Sequence, residues 1–104
     1  MSYRVTIAYR QPTDPAAFDA YYRDTHLALA AQIPDVVRFT AGRADSPDGE
    51  QPYFYQLAEV VFDSREKALA ALASPAGKAA ADDIPNFADN GAAMFFSEEE
   101  VRVP

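Results

Sequence analysis

The single histidine of this chain, His26, is the side chain most suited to proton transfer near neutral pH, with an unperturbed pKa of roughly 6.5. At helical spacing it falls on an apolar stripe that also contains Phe18, Tyr22, Leu29 and Ile33. This position predicts that the imidazole faces a core or a pocket. A neutral imidazole in a pocket can act as a general base and remove a proton from an acidic carbon or a phenol.

Tyr22 precedes His26 by four residues, which is one helical turn, so its hydroxyl is expected within reach of the imidazole. It could hold the oxyanion that proton removal leaves behind, which makes it the candidate catalytic partner. Core packing explains Tyr22 equally well. Three interpretations of His26 stay open: a hydrogen-bonded core histidine, a general acid/base at a cleft, and a haem ligand.

Three further residues are candidates for binding a substrate. Tyr9 at the end of the first predicted strand and Tyr55 in the third could each add a ring or a hydroxyl to the same pocket, or pack in a core or interface. Glu59 is predicted on the strand face that carries Tyr55. On a buried face its carboxylate has a raised pKa or forms a structural ion pair, for which Arg38 is the expected partner.

The composition excludes several classes of protein. With 104 residues and a formal charge of −7, the chain is expected to be a single domain over 1–104 that repels nucleic acid and anionic membranes. It has no cysteine for disulfides or sulfur-ligated metals, no glycine-rich phosphate loop and no calcium-loop pattern. We therefore expect no metal and no cofactor. Without a membrane-span pattern or an N-terminal signal pattern, a cytoplasmic protein is expected.

The residue pattern predicts the order β-α-β-β-α-β. Strands are predicted at 3–9, 36–44, 53–62 and 92–103, and helical segments at 15–32 and 64–83. Asp14 caps the first helix and Pro34 ends it. Asp63 and Glu66 form the expected capping box of the second, which restarts near residue 75.

This element order is typical of the ferredoxin-like α+β fold, a four-stranded antiparallel sheet with both helices on one face. The predicted strands are apolar on both faces, and the helices cover only one of them. The simplest cover for the other face is a second copy of the chain, sheet against sheet. The sequence therefore predicts a homodimer with two-fold symmetry.

Two motifs resemble a known family. They comprise Asp14-Pro15, Phe18, Tyr21-Tyr22 and His26-Leu27, and then Ala58-Glu59, Phe62-Asp63-Ser64, Ser74-Pro75 and Gly77. Together they are similar to the EthD family, part of the dimeric α/β barrel superfamily. The resemblance implies a ferredoxin-like protomer and a dimer that closes two sheets into a barrel.

The resemblance also implies a role in small-molecule catabolism or secondary metabolism. The family takes its name from a component associated with ether degradation by a cytochrome P450 system, which suggests xenobiotic degradation. Relatives in the superfamily act as cofactor-free monooxygenases, polyketide cyclases and lactone isomerases. One expectation is therefore an oxidoreductase, cyclase or isomerase in which His26 and Tyr22 act on a small hydrophobic molecule. The other is a non-catalytic binding or accessory protein for a partner oxidase.

Overall fold

A computed structural model describes residues 2–104, and its secondary structure confirms the predicted element order. The elements are β1 (Tyr3–Arg10), α1 (Pro15–Tyr21), a π-helical turn (Tyr22–His26), α2 (Leu27–Ala30), β2 (Arg38–Arg43), β3 (Phe54–Phe62), α3 (Arg65–Ala73), α4 (Pro75–Asp83), a 3-10 turn (Ile84–Asn86) and β4 (Ala92–Glu98). The strands form one antiparallel sheet in the order β2-β3-β1-β4. This is the ferredoxin-like α+β fold. None of the helices within residues 2–104 has the length and apolar character needed to span a membrane.

The core lies between the sheet and the helices. Alternate residues of β1 point toward the helices, and among them Val5 and Tyr9 are almost completely buried. Phe62 on β3 and Phe18 on α1 fill the same layer. Because side chains of a strand alternate between two faces, the remaining residues of the central strands lie on the opposite, open face.

Two predicted boundaries are wrong for identifiable reasons. β4 ends at Glu98 rather than at 103, because its neighbour β1 begins at Tyr3, the residue paired with Glu98. Helix α3 is capped by Ser64 and not by Asp63. The Ser64 hydroxyl accepts from the backbone N–H of Lys67, while Asp63 lies 3.7 Å from the Lys67 ammonium.

The first helical segment is not the continuous α-helix over 15–32 that the pattern predicts. A π-helical turn interrupts it, and the N–H of Leu27 bonds the carbonyl of Tyr22, five residues back. Such turns are uncommon and occur often at functional sites. Here the turn contains both Tyr22 and His26, and both side chains are buried.

Helices α3 and α4 meet at Gly77 with no room for a side chain. A Cβ atom at this position would lie 2.7 Å from the Cα atom of Leu72, a backbone atom that cannot move independently. We therefore expect Gly77→Ala to destabilise the fold by about 1–3 kcal/mol. Thermal unfolding should show a decrease in Tm of roughly 4–8 °C per kcal/mol. The exposed neighbour Lys78 supplies the control, since Lys78→Ala should leave Tm nearly unchanged. An unchanged Tm in Gly77→Ala would contradict this account of the α3–α4 contact.

Candidate functional site

His26 forms a buried pair with the carboxylate of Asp83. The Nδ1 atom lies 2.9 Å from Oδ2 of Asp83, the last residue of α4, and the two side chains are 5% and 7% exposed. The imidazole also contacts two aromatic rings, with centroids 4.6 Å away at Phe87 and 5.3 Å away at Tyr22. These contacts fix both the position and the orientation of the imidazole.

Two further donors hold the Asp83 carboxylate. Its Oδ1 accepts from the hydroxyl of Tyr21 at 2.6 Å and from the side-chain amide of Asn86 at 3.0 Å. Burial alone would raise the pKa of Asp83, but the hydrogen bonds from Tyr21, His26 and Asn86 outweigh it and hold this pKa below its usual range. A charged Asp83 favours the tautomer of neutral His26 that carries its proton on Nδ1, which leaves Nε2 as the basic nitrogen.

No predicted site contains Asp83, although the sequence carries a weak signal for it. It follows Asp82 in the last turn of α4, and two carboxylates at the C-terminus of a helix oppose the helix dipole. Such an arrangement is unfavourable unless another group compensates for it. The compensating groups come from the first helical segment and the 3-10 turn, so only the fold reveals them.

The lowered pKa of Asp83 predicts a pH dependence of stability. Because the folded-state pKa lies below the unfolded value of about 3.9, the unfolded chain binds a proton first as the pH falls. The stabilisation from Asp83 is thus complete above about pH 5 and is lost as the pH falls through the folded-state pKa. Denaturant unfolding between pH 6 and 2.5 measures the effect. As the pH falls, the free energy of unfolding should decrease more steeply for the wild type than for Asp83→Asn. Parallel curves would show that Asp83 is not the linked group.

His26 also lines an apolar cavity of about 40 Å³ between the sheet and the helices. Tyr9 and Val60 from the sheet, and Leu72 and Ile84 from the helical layer, form parts of its wall. Since Nδ1 bonds Asp83, Nε2 is the nitrogen left to meet a molecule in the cavity. The space is far too small for a porphyrin beside the imidazole. Within residues 2–104, no cluster of three or more acidic or histidine side chains could hold a metal ion.

The hydroxyls of Tyr9 and Tyr22 are buried without a hydrogen-bond partner in the described part of the chain. The Tyr22 hydroxyl lies near Gln56 and Tyr9 but bonds neither with acceptable geometry. It does not bond His26 either, although the two rings lie close together, with centroids 5.3 Å apart. Burial raises the pKa of both tyrosines above their usual range, so each keeps its proton and can donate it in a hydrogen bond. Only Tyr9 lines the cavity.

Tyr55 lies away from the cavity and contacts helix α1 instead. The register between β1 and β3 is irregular at Tyr9 and Arg10. At this irregularity the side chain of Tyr55 lies on the helix side of the sheet and not on the predicted face. There its ring stands 5.1 Å from that of Phe18, and its hydroxyl donates to Asp19 at 2.8 Å. This position corrects the prediction that Tyr55 shares a face with Glu59.

Glu59 stays on the open face of the sheet, where its strand neighbours are Thr6 and Thr40. The structure of residues 2–104 contains no ion pair between Glu59 and Arg38, whose strand partner is Val61 instead. The open face and the His26 cavity lie on opposite sides of the sheet. The protomer therefore brings His26, Tyr22 and Tyr9 together but leaves Glu59 outside this group.

Comparisons with known proteins agree with the fold. A 51% identical relative is an uncharacterized 11.0 kDa protein from the thcB–thcC intergenic region of Rhodococcus erythropolis, aligned over 98% of this chain and 99% of its own length. An ethyl tert-butyl ether D (EthD) family protein from Bacillus halodurans is 33% identical, with a TM-score of 0.88 over 95% of this chain and 99% of that one. A point mutant of SnoaB, a cofactor-independent oxygenase from Streptomyces nogalater, is 19% identical and shares the fold, with a TM-score of 0.67 over 99% and 96% of the two chains.

The family model for the EthD domain matches residues 10–91. This range contains the π-helical turn with His26 and Tyr22, the whole of α4 with Asp83, and the ring of Phe87. It therefore includes Asp83, Tyr22 and Phe87, the three side chains in contact with the imidazole, while Tyr9 lies one residue before it. The chain belongs to the EthD family.

Proposed function

We propose that this protein is an enzyme of small-molecule metabolism in which His26 removes a proton from an apolar substrate and Asp83 orients the imidazole. The observation that carries the proposal is the 2.9 Å contact between Nδ1 of His26 and Asp83 beside a cavity that His26 lines. Histidine–aspartate pairs of this polarity keep Nε2 available as a base and stabilise the imidazolium that forms. Asp83 acts through His26 and is a positioning residue.

The proposed step moves one proton and no other atom. The C–H or O–H bond of an acidic carbon or phenol breaks, the proton goes to Nε2 of His26, and the electron pair remains on the substrate as an enolate or phenolate. The protonated hydroxyl of Tyr9, which lines the cavity, is the donor for that oxyanion. Tyr22 packs against Tyr9, with ring centroids 5.8 Å apart, and so helps to hold the Tyr9 ring in place.

The same carbanion-like intermediate can begin a cofactor-free oxygenation, a cyclisation or an isomerisation. The fold shared with SnoaB, a cofactor-independent oxygenase, supports the first of these. The low polarity of the cavity supports all three, because exclusion of water strengthens the hydrogen bond to a developing oxyanion.

An NMR titration of the His26 ring tests whether this site works. One histidine gives one unambiguous set of ring signals, which is followed against pH with and without quinones, phenols and enolisable aryl ketones. We expect a ligand-dependent change in the His26 titration, together with catalysed deuterium exchange at the acidic carbon of 2-tetralone. The proposal would be contradicted if no compound changed the His26 ring signals and if deuterium exchange of 2-tetralone were no faster than in buffer.

We also propose that two copies associate through the open face of the sheet into an α/β barrel. On this face Leu57 is 43% exposed and Phe95 is 53% exposed, and both sit beside small or apolar neighbours of the central strands, including Ala8. A neighbouring copy would cover this surface with the same residues of its own sheet, as a two-fold interface requires. The exposed apolar area supports association, since monomers rarely leave such patches uncovered.

A pair of leucine variants tests the dimer. Leu57 on the open face and Leu69 on α3 are 43% and 42% exposed, so they differ in position but hardly in exposure. We expect Leu57→Glu to convert the dimer to monomer in light scattering at micromolar concentration, because a buried unpaired carboxylate is costly. Leu69→Glu should remain dimeric. If both variants keep the wild-type mass, the open face is not the interface.

The second candidate function is a non-catalytic protein that binds a small hydrophobic ligand or supports a partner oxidase such as a cytochrome P450 system. The location of the 51% identical relative between thcB and thcC supports an accessory role beside other proteins, because neighbouring genes often serve one process. Ligand-dependent thermal stabilisation without any deuterium exchange distinguishes this function from catalysis.

A further inference from the structure

The cavity beside His26 is too small for an organic molecule. Its volume of about 40 Å³ is far below the roughly 150 Å³ of a cavity that holds benzene. Only the reacting end of a substrate can therefore enter it. The rest of the molecule must lie elsewhere, in a space continuous with the cavity.

A groove of about 430 Å³ lies directly outside, between the 3-10 turn and β4. This volume is within the range of small-molecule sites. The groove and the cavity share three lining residues, Ala81, Ile84 and Met94. Met94 is 40% exposed and lines both spaces, so its side chain forms part of the wall between them.

The lining of the groove selects an uncharged, apolar occupant. Apart from the shared residues, Pro85, Ala88 and Ala92 supply its apolar walls. Among the described residues of the lining, Asp89 alone is charged, and it accepts a hydrogen bond from the backbone N–H of Thr13 at 3.2 Å. Its negative charge, in a chain with a net charge of −7, disfavours an anionic ligand here.

We propose that this groove seats the apolar chain or ring substituent of the molecule whose acidic end reaches His26, with Met94 as the side chain that moves aside between the two. The inference rests on the proposed function, because it takes His26 as the reacting group. Methionine suits this role, since its unbranched thioether side chain adopts alternative conformations at low cost. The substrate class is thus an elongated, uncharged molecule with one ionisable end.

A series of 4-n-alkylphenols, from phenol to 4-pentylphenol, tests the subsite in the full-length protein. Dissociation constants come from isothermal titration calorimetry, and the ring signals of His26 are followed in a parallel titration of each phenol. We expect Kd to fall about fourfold for each added methylene, which corresponds to the roughly 0.8 kcal/mol gained when a methylene is buried.

Two variants at Pro85 separate groove filling from backbone effects. Pro85 is exposed and lines the groove but not the cavity. Pro85→Trp should occupy the groove and abolish the dependence on chain length. Pro85→Ala also removes the proline ring and its backbone constraint, but it does not fill the groove. Its Kd values should therefore depend on chain length as those of the wild type do.

Each remaining outcome has a distinct meaning. Phenols that shift the His26 signals with no dependence on chain length would overturn the subsite and leave the proposed function standing. Chain-length dependence without any response of His26 would show that the groove binds apolar chains independently, which overturns the inferred connection. If no phenol binds, or if Kd still depends on chain length in Pro85→Trp, the groove is not the subsite. Deuterium exchange of 2-tetralone remains a separate test of the function of His26.

Discussion

Replacement of His26 by alanine should slow deuterium exchange at the acidic carbon of 2-tetralone by at least about a hundredfold, with the dimer intact. The reason is that no other side chain within residues 2–104 that lines the cavity offers a basic nitrogen. The hydroxyls of Tyr9 and Tyr22 keep their protons because burial raises their pKa. The measurement is the exchange rate by NMR at saturating ketone, with light scattering on the same sample.

A second variant guards against loss of folding, because alanine leaves the Asp83 carboxylate buried without its imidazole partner. In His26→Asn the side-chain amide nitrogen occupies roughly the position of Nδ1 and can still donate to Asp83, but no base remains at the position of Nε2. Thr25→Ala, an exposed neighbour in the same π-helical turn, is the matched control and should exchange at the wild-type rate. Wild-type exchange in a folded His26→Asn protein would remove His26 from the mechanism.

Replacement of Asp83 should affect both activity and stability, through separable causes. Asp83→Asn keeps the shape but presents an amide N–H to Nδ1, which favours the tautomer with its proton on Nε2. In serine proteases the equivalent change lowers kcat by about 10⁴ for this reason. We expect a decrease in exchange rate of about a hundredfold or more, and ¹⁵N NMR of the His26 ring should show the changed tautomer. Asp82→Asn, at the exposed neighbouring position, should change neither.

The stability effect is largest for Asp83→Ala. This change leaves His26, the hydroxyl of Tyr21 and the amide of Asn86 without their shared acceptor. Removal of one partner of a buried pair typically costs about 3–5 kcal/mol, a large part of the stability of a small domain. Urea unfolding measures the loss. A loss below about 1 kcal/mol would mean that solvent replaces the carboxylate and that the network contributes little.

Local patterns were enough to predict the fold. Alternation in the strands, the helix start at Asp14 and the turn formers between elements act within a few residues, and the order of the elements restricts the topology. The boundaries that differed depend on contacts between distant segments. β4 ends where β1 has no further residue to pair with it. The displaced position of Tyr55 accompanies a register change that only the paired strands reveal.

The candidate site was predicted in part for the same physical reason. His26, Tyr22 and Tyr9 stood out because their residue types and spacing are local properties. Asp83 is 57 residues away from His26 along the chain, and no periodicity in either segment indicates the contact. Phe87, which packs on the imidazole, lies in an irregular segment where no pattern assigns a buried face.

The π-helical turn has a consequence for the rotational phase of the first helical segment. In an α-helix four residues advance about 400°, so side chains four apart drift by about 40° each time. Phe18, Tyr22, His26 and Ala30 are spaced in this way and are all buried. The π-helical turn contains one residue more than an α-helical turn. This additional residue compensates for much of the rotation that has accumulated around the helix axis. A relative with one residue fewer between Tyr22 and Leu27 would have its second half rotated by about 100°, and it would present a different side chain to the carboxylate at the end of α4.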